Sequence, residues 1–183
     1  MNNSYLTSIQ KQFLYYKNLG DKSLEQLSFD EIIANDEDVN SIAIIAKHIS
    51  GNMLSRWTNF LTEDGEKSWR HRDNEFIDTF EDKASIEAYW EKGWNCLFSA
   101  LNELTDDNLE DIVYIRNQGH TVIEAINRQL MHYAYHIGQI VYIAKTIRGS
   151  EWQTLSVPKG KSVAYNQEKF TKDKGKRHFT EDL

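Results

Sequence analysis

Two histidines spaced four residues apart are the most chemically suggestive feature of this 183-residue chain. His132 and His136 lie in a long helical pattern, and the i, i+4 spacing puts both imidazoles on one helix face. A helix can offer two ligands to one metal ion at this spacing. Since a histidine on an apolar helix face is more often a core or surface residue than a ligand, the pair alone leaves both interpretations open.

A third candidate ligand, His48, lies in the middle of another predicted helix, with isoleucines on both sides of it in the sequence. A polar ring in so apolar a setting needs a partner. Together with His132 and His136, it would supply three imidazoles from two facing helices. Such a site keeps a coordination position open, which is typical of reactive metal centres. The alternative is that His48 is an ordinary core residue.

The residues around the histidine pair limit the chemistry. The zinc-protease motif HExxH is absent, because Tyr133 stands where its glutamate would be. No carboxylate flanks the pair as a general base, so a metal-dependent hydrolase is only the second hypothesis. A third hypothesis is a non-catalytic bundle that binds metal or responds to stress, in which the histidines are structural.

The pair lies in the clearest helix of the sequence, predicted over residues 120–149. Thr121 and Glu124 fit a capping box at its start, and Gly149 provides a stop signal at its end. Gly138 lies inside the helix, where glycine costs about 1 kcal/mol. Its position predicts a close neighbour at this point.

The same apolar periodicity predicts three further long helices, at about residues 3–19, 39–60 and 83–103. Gly20 is expected to end the first of them. A short helical turn is predicted around residues 24–33, where Ser23 with Gln26 and Ser28 with Glu31 have capping-box spacing.

The connections between these helices are of unequal length. The acidic residues 35–38 form a predicted linker, and residues 62–80 form a long connection. No segment strongly predicts a strand; residues 112–116 are the best candidate for a short extended piece. We therefore predict an all-α fold, an antiparallel four-helix bundle over residues 1–155, with a partly irregular and basic C-terminal extension over residues 156–183.

The composition excludes several classes of protein. The net charge of -7 disfavours binding to nucleic acid, although Lys159–Arg177 hold seven basic residues against two acidic ones. The single cysteine, Cys96, cannot form an intrachain disulfide and is compatible with a reducing compartment. The sequence shows neither a signal-peptide pattern nor an apolar run long enough for a membrane span. A cytoplasmic protein is expected.

Three segments resemble a known family. They are IIAKHISGNMLSRW around His48, RDNEF at residues 72–76, and HYAYHIGQIVYIAK beginning at His132; a later segment, WQTLSVPKGKS, adds to the resemblance. On these segments the chain resembles the DinB/YfiT-like superfamily of four-helix metalloproteins. Within that superfamily it is most similar to a subfamily of unknown function.

The resemblance implies a divalent metal, most often zinc or nickel, held by His48, His132 and His136. It also implies a homodimer and a small-molecule substrate. Related proteins carry out S-transferase chemistry with a low-molecular-weight thiol such as bacillithiol or mycothiol. The leading hypothesis is therefore a metal-dependent thiol S-transferase. Gln139, Tyr133 or Tyr135 are candidates to orient the ligands, and Arg72 is a candidate to bind an acidic group of the cofactor.

Overall fold

The computed structural model describes residues 4–34 and 39–182; the predicted acidic linker at 35–38 lies outside them. The described residues are mostly helical. They form the α-helices α1 (Ser4–Glu25), α2 (Phe29–Ile33), α3 (Ile42–Trp57), α4 (Lys83–Asn102), α5 (Val122–Arg148) and α6 (Ser162–Phe170). They also form the strands β1 (Ile112–Ile115) and β2 (Gln118–Thr121). Among the described helices, none combines the length and the apolar character that a bilayer crossing requires.

Side-chain caps define where the helices begin. The predicted capping box of Thr121 and Glu124 is present at the start of α5, and Ser28 and Glu31 form another at α2. Each box satisfies backbone N–H groups that have no partner inside the helix. α5 ends at Gly149, which has a positive φ of 52°, as its predicted stop signal requires.

The prediction that Gly20 ends the first helix is wrong. α1 continues through Gly20 to Glu25. A Cβ atom at this glycine would lie 2.6 Å from a ring carbon of Trp90 on α4. The glycine therefore allows close packing between two helices, and tertiary contact overrides the local stop signal.

The four long helices, α1, α3, α4 and α5, pack around one core. α3 packs along α4 and α1 along α5, and further contacts join α3 to α5 and α1 to α4. At the centre, Phe13 lies 6.1 Å from Trp57 and 6.0 Å from Tyr133, and Trp94 lies 6.0 Å from Tyr133, measured between ring centroids. Each long helix thus contributes one aromatic ring to the same buried cluster.

Hydrogen bonds of Tyr133 fix the rotation of α5 about its axis. Its fully buried hydroxyl accepts a hydrogen bond from Trp57 Nε1 at 3.1 Å and donates one to Asn52 Oδ1 at 3.0 Å. Both partners belong to α3. Because Tyr133 is held against α3 in this way, His132 and His136 of α5 contact His48 of α3.

A β-hairpin precedes α5; its first strand coincides with the extended piece predicted at residues 112–116, whereas the turn and the second strand were not predicted. β1 and β2 pair in antiparallel fashion, with Ile112 opposite Thr121 and Ile115 opposite Gln118. The two residues between the strands, Arg116 and Asn117, both have positive φ, as a type I′ turn requires. Arginine is not a usual turn residue there, which explains why the turn could not be recognised from sequence.

The long connection after α3 is tied to this hairpin. The carboxylate of Asp64 accepts hydrogen bonds from the backbone N–H groups of Arg116 and Asn117 at 2.9 and 2.8 Å. Gly65 donates its N–H to the carbonyl of Tyr114 at 2.8 Å. These bonds hold the connection beside the N-terminal half of α5 and bring its charged residues to the histidine cluster.

The C-terminal extension combines the exposed helix α6 with irregular segments. The periodicity of the sequence did not predict α6, and no residue of this helix is buried. The end of the extension returns to α1, where the rings of Tyr15 and Phe179 lie 5.7 Å apart. The side chains of Ser8 and His178 add a polar contact of 3.2 Å.

Candidate metal centre

The three histidines singled out in the sequence lie together in the structure. His48 comes from α3, and His132 and His136 come from successive turns of α5. One ring nitrogen from each lies within 4.8 Å of the other two. The ring centroid of His136 is 4.8 Å from that of His132 and 5.0 Å from that of His48. This arrangement is compatible with a metal site.

The distance between two of the imidazoles fits a shared metal ion. The Nε2 atoms of His48 and His132 are 3.4 Å apart. Two nitrogens bound to one tetrahedral ion at about 2.0–2.1 Å would also lie about 3.4 Å from each other. A set of imidazole nitrogens suits zinc, nickel or copper. The donor atoms present therefore fit a divalent ion of this kind.

In two of these rings the outer nitrogen, Nδ1, forms a hydrogen bond with a side-chain oxygen. His48 Nδ1 lies 2.8 Å from Glu75 Oε2, and His136 Nδ1 lies 2.7 Å from Gln139 Oε1. Both oxygens are acceptors, so each Nδ1 carries the proton and donates it. Each Nε2 is then left with a lone pair, the form that a metal ion needs. Gln139, which the sequence singled out as a candidate to orient a ligand, thus contacts His136.

Glu75 is a residue of the site whose role the sequence analysis did not assign. It lies in the 3-10 turn Arg72–Phe76, and only 6% of its surface is exposed. Arg70 holds its carboxylate with two hydrogen bonds, from Nε to Oε1 at 2.8 Å and from a terminal nitrogen to Oε2 at 3.0 Å. Burial favours a higher pKa, but hydrogen bonds from His48 and Arg70 hold the pKa of Glu75 below its usual value. It therefore stays ionised as an acceptor.

The sequence analysis found no carboxylate beside the His132–His136 pair, but it did not consider a carboxylate beside His48. Glu75 reaches His48, although it comes from a loop 27 residues further along the chain. Two local signals mark it: the RDNEF segment and Gly51 inside α3. A Cβ atom at Gly51 would lie 2.4 Å from Glu75 Oε1, so this glycine provides the space for the carboxylate.

Burial keeps the histidines of α5 neutral. Burial first, and then the neighbouring histidines and arginines, lower the pKa of His132 to about 3. Burial also lowers the pKa of His136, although its hydrogen bond to Gln139 acts in the opposite direction and His48 adds to the lowering. Both imidazoles are therefore in the neutral form that binds metal ions.

Other sequence candidates lie outside the cluster or play another role. Tyr133 belongs to the core and bonds to α3, and Tyr135 is exposed, with its ring 4.9 Å from that of His136. His71 is exposed. The prediction of a close neighbour at Gly138 is wrong, because a Cβ atom there would meet nothing within 4 Å.

A cavity of about 250 Å³ adjoins the histidine cluster. His48 and His132 form part of its wall, beside Asn52 and Gln129. Arg72, singled out in the sequence, also lines it, and its guanidinium lies 5.0 Å from the ring centroid of Phe76. The ring of Phe76 in turn stacks on His48 at 5.2 Å. A small molecule in this cavity would touch two of the three imidazoles.

Residues 1–161, which include the four long helices and all three histidines, match the sequence profile of a protein family. The chain belongs to the family described as "Protein of unknown function (DUF1572)". Membership of the DUF1572 family agrees with the resemblance to a subfamily of unknown function. Comparisons with curated proteins and with solved structures found no significant match.

Proposed function

We propose that this DUF1572 protein binds a divalent metal ion, zinc or nickel, and uses it for thiol-dependent S-transfer to a small electrophilic molecule. The proposed ligands are the Nε2 atoms of His48, His132 and His136, on a four-helix bundle of the DinB type. One observation carries the proposal: three imidazoles from two helices converge within 4.8 Å, and two of them have their outer nitrogens engaged.

The protein supplies ligand orientation and a binding space. Glu75 holds the ring and the tautomer of His48, and Gln139 does so for His136. When bound, the ion would lower the pKa of a thiol in its open coordination position. The cavity beside His48 and His132 provides room for a substrate next to that position.

A metal-dependent hydrolase is the less favoured reaction. Among the described residues, the carboxylate that contacts the cluster is that of Glu75, and its two oxygens already accept hydrogen bonds from Arg70 and His48. A general base must be open to water and basic enough to take its proton, whereas Glu75 is buried and its hydrogen bonds hold its pKa below the usual value. Glu75 is therefore better suited to orient His48 than to take up a proton.

An exchange assay tests the proposed reaction. Purified protein loaded with zinc or with nickel is mixed with bacillithiol or glutathione and a model electrophile, and consumption of the thiol is measured. We expect turnover that stops after chelation, returns with the metal and is lost in His132→Ala. Binding of metal without turnover of either thiol would leave a non-catalytic metal-binding protein and would contradict S-transfer.

A further inference from the structure

The cavity beside the histidine cluster is unusually rich in positive charge. Its wall includes five guanidinium groups, those of Arg56, Arg70, Arg72, Arg116 and Arg128. The whole chain has a net charge of -7, so a cluster of five arginines is not what its average charge would predict. A wall of this kind attracts anions even on an acidic protein, because local charges dominate within a Debye length of about 8–10 Å.

Three of these arginines share one carboxylate. Glu66 Oε2 lies 3.1 Å from a nitrogen of Arg56, 3.5 Å from one of Arg70 and 3.1 Å from one of Arg116. Arg70 also pairs with Glu75. Glu66 and Glu75 therefore pair with these three guanidinium groups, and the ionised Asp64 also interacts with Arg56. The positive excess of the wall must come from the other two arginines.

The other two arginines of the wall add positive charge that no carboxylate partner offsets. The guanidinium of Arg72 lies over the Phe76 ring, and Arg128 contacts the imidazole of His120 at 3.1 Å. Neither forms an ion pair with a described residue. The carboxylate of Asp64 is held by three backbone N–H groups at the hairpin turn and the long connection, and it pairs with neither of these two arginines. Both guanidinium groups are exposed and can donate to a ligand.

Buried polar atoms on the same wall lack partners. Gln129 is 4% exposed, and its Oε1 has no hydrogen-bond partner among the described residues. Arg56 is 6% exposed, and its Nε has none either. Asn52 uses Oδ1 to accept from Tyr133, which leaves its NH2 group to donate. Unpaired buried polar groups are costly, so a ligand that accepts from Arg56 and Asn52 would explain why this wall retains these donors. Gln129 Oε1 is an acceptor and would need a donor group on the rest of that ligand.

We propose that this cavity binds an anionic group, a carboxylate or a phosphate, of the small molecule on which the protein acts. The inference rests on the proposed function, because it places the rest of that molecule against His48 and His132. Guanidinium groups match both anions through pairs of parallel hydrogen bonds. Arg72 and Arg128 supply the free donors and the positive excess of the wall, and the arginines paired with Glu66 line the rest of it.

Calorimetric titration of the metal-free protein with inorganic phosphate and with succinate, at low ionic strength, tests the proposal. We expect saturable binding of at least one anion, and the stronger of the two identifies the group that the substrate carries. The variant Arg72→Gln/Arg128→Gln should bind about tenfold more weakly or worse, because charged hydrogen bonds are lost. The variant Lys145→Gln/Arg177→Gln removes the same charge from exposed positions elsewhere and should keep the wild-type affinity.

A further variant separates this proposal from the metal proposal. His136→Ala removes a proposed metal ligand that does not line the cavity, so anion binding should persist in it while metal binding is lost. Arginine-dependent anion binding in a protein that takes up no metal would count against the proposed function alone. Two results would overturn the anion site. One is that the wild-type protein binds neither anion. The other is that Arg72→Gln/Arg128→Gln and Lys145→Gln/Arg177→Gln weaken anion binding equally, with unchanged melting temperatures.

Discussion

Glu75 connects a proposed metal ligand to the charged groups of the long connection. Its carboxylate accepts from His48 on one side and from Arg70 on the other, and Arg70 also reaches Glu66. A histidine held in this way has its ring orientation and its tautomer fixed before any ion binds. The contribution of Glu75 is therefore to the affinity for metal, and it can be measured separately from any reaction.

Replacement of Glu75 by glutamine should weaken zinc binding by about 10- to 100-fold, the usual effect of losing a partner of a ligating histidine. The amide removes the negative charge that favours the Nδ1–H of His48 and leaves Arg70 without its ion pair. Competition with a chromophoric chelator gives the affinity. Glu81→Gln, at an exposed position, is the matched control and should bind zinc as the wild type does. Equal affinities in all three proteins would refute this role for Glu75.

The stability of the metal-free protein should fall as the pH is lowered below about 6.5, the usual pKa of histidine. The pKa of His132 is about 3 in the folded protein, so the unfolded chain takes up a proton that the folded chain does not. The stabilisation is complete above pH ~6.5 and is lost towards pH ~3, at up to about 1.4 kcal/mol per pH unit.

Urea unfolding in the presence of a chelator, between about pH 7.5 and about pH 5, measures this effect while most carboxylates stay ionised. His132→Gln serves as the comparison, because it has no imidazole to titrate at that position. The free energy of unfolding should fall less steeply in the variant. Identical pH profiles for the two proteins would show that His132 does not resist protonation.

At the scale of the helices, two glycines offer a paired test. Gly51 on α3 faces the Glu75 carboxylate, which Arg70 and His48 hold in place, whereas Gly138 on α5 has open space around it. Gly138→Ala should raise the free energy of unfolding by about 1 kcal/mol, because alanine favours the helix. Gly51→Ala should instead lower the free energy of unfolding and weaken metal binding, since its methyl group displaces Glu75.

Chemical denaturation and metal titration of both variants test these two expectations. The free energy of unfolding should change in opposite directions in the two variants, and metal affinity should fall in Gly51→Ala alone. Equal stabilisation by both substitutions, with metal affinity intact, would mean that the carboxylate of Glu75 is not confined beside α3.

Local sequence signals predicted the long helices better than they predicted their contacts. The capping box of Thr121 and Glu124 located the start of α5, because its partners are close in sequence. The end of α1 was misplaced, since a glycine can stop a helix or admit a neighbouring ring such as Trp90. The turn of the hairpin was missed because it uses Arg116 in a conformation that arginine rarely adopts.

The candidate site was predictable to the extent that its residues share a helix pattern. His132 and His136 follow from their spacing, and His48 follows from an apolar helix that must face them. The role of Glu75 could not be predicted, because it depends on how a long connection folds back against α3. The arginine-lined wall has the same origin: its members come from α3, α5, the connection and the hairpin turn.

At the scale of the whole molecule, the homodimer implied by the resemblance stays a prediction. α5 exposes a row of large apolar side chains, Met131, Tyr135 and Tyr142, with 67%, 64% and 73% of their surfaces accessible. A row of this kind on one helix is a candidate self-association surface. Sedimentation equilibrium should give about twice the chain mass of 21.4 kDa.

The variant Tyr142→Lys should shift this equilibrium towards the monomer, because a charge then enters the apolar contact. Phe170→Lys, on the equally exposed helix α6, is the matched control and should remain dimeric. A monomeric wild-type protein, or the same dissociation in both variants, would exclude α5 as the dimer surface.

The metal content of the protein, purified without chelator or affinity tag, decides whether the three histidines form a metal centre. We expect about one equivalent of zinc or nickel per chain, the stoichiometry of a single three-histidine site. The variant His48→Ala/His132→Ala, purified in parallel, should contain none. A wild-type protein that holds no metal, even after incubation with zinc and with nickel, would contradict the metal centre.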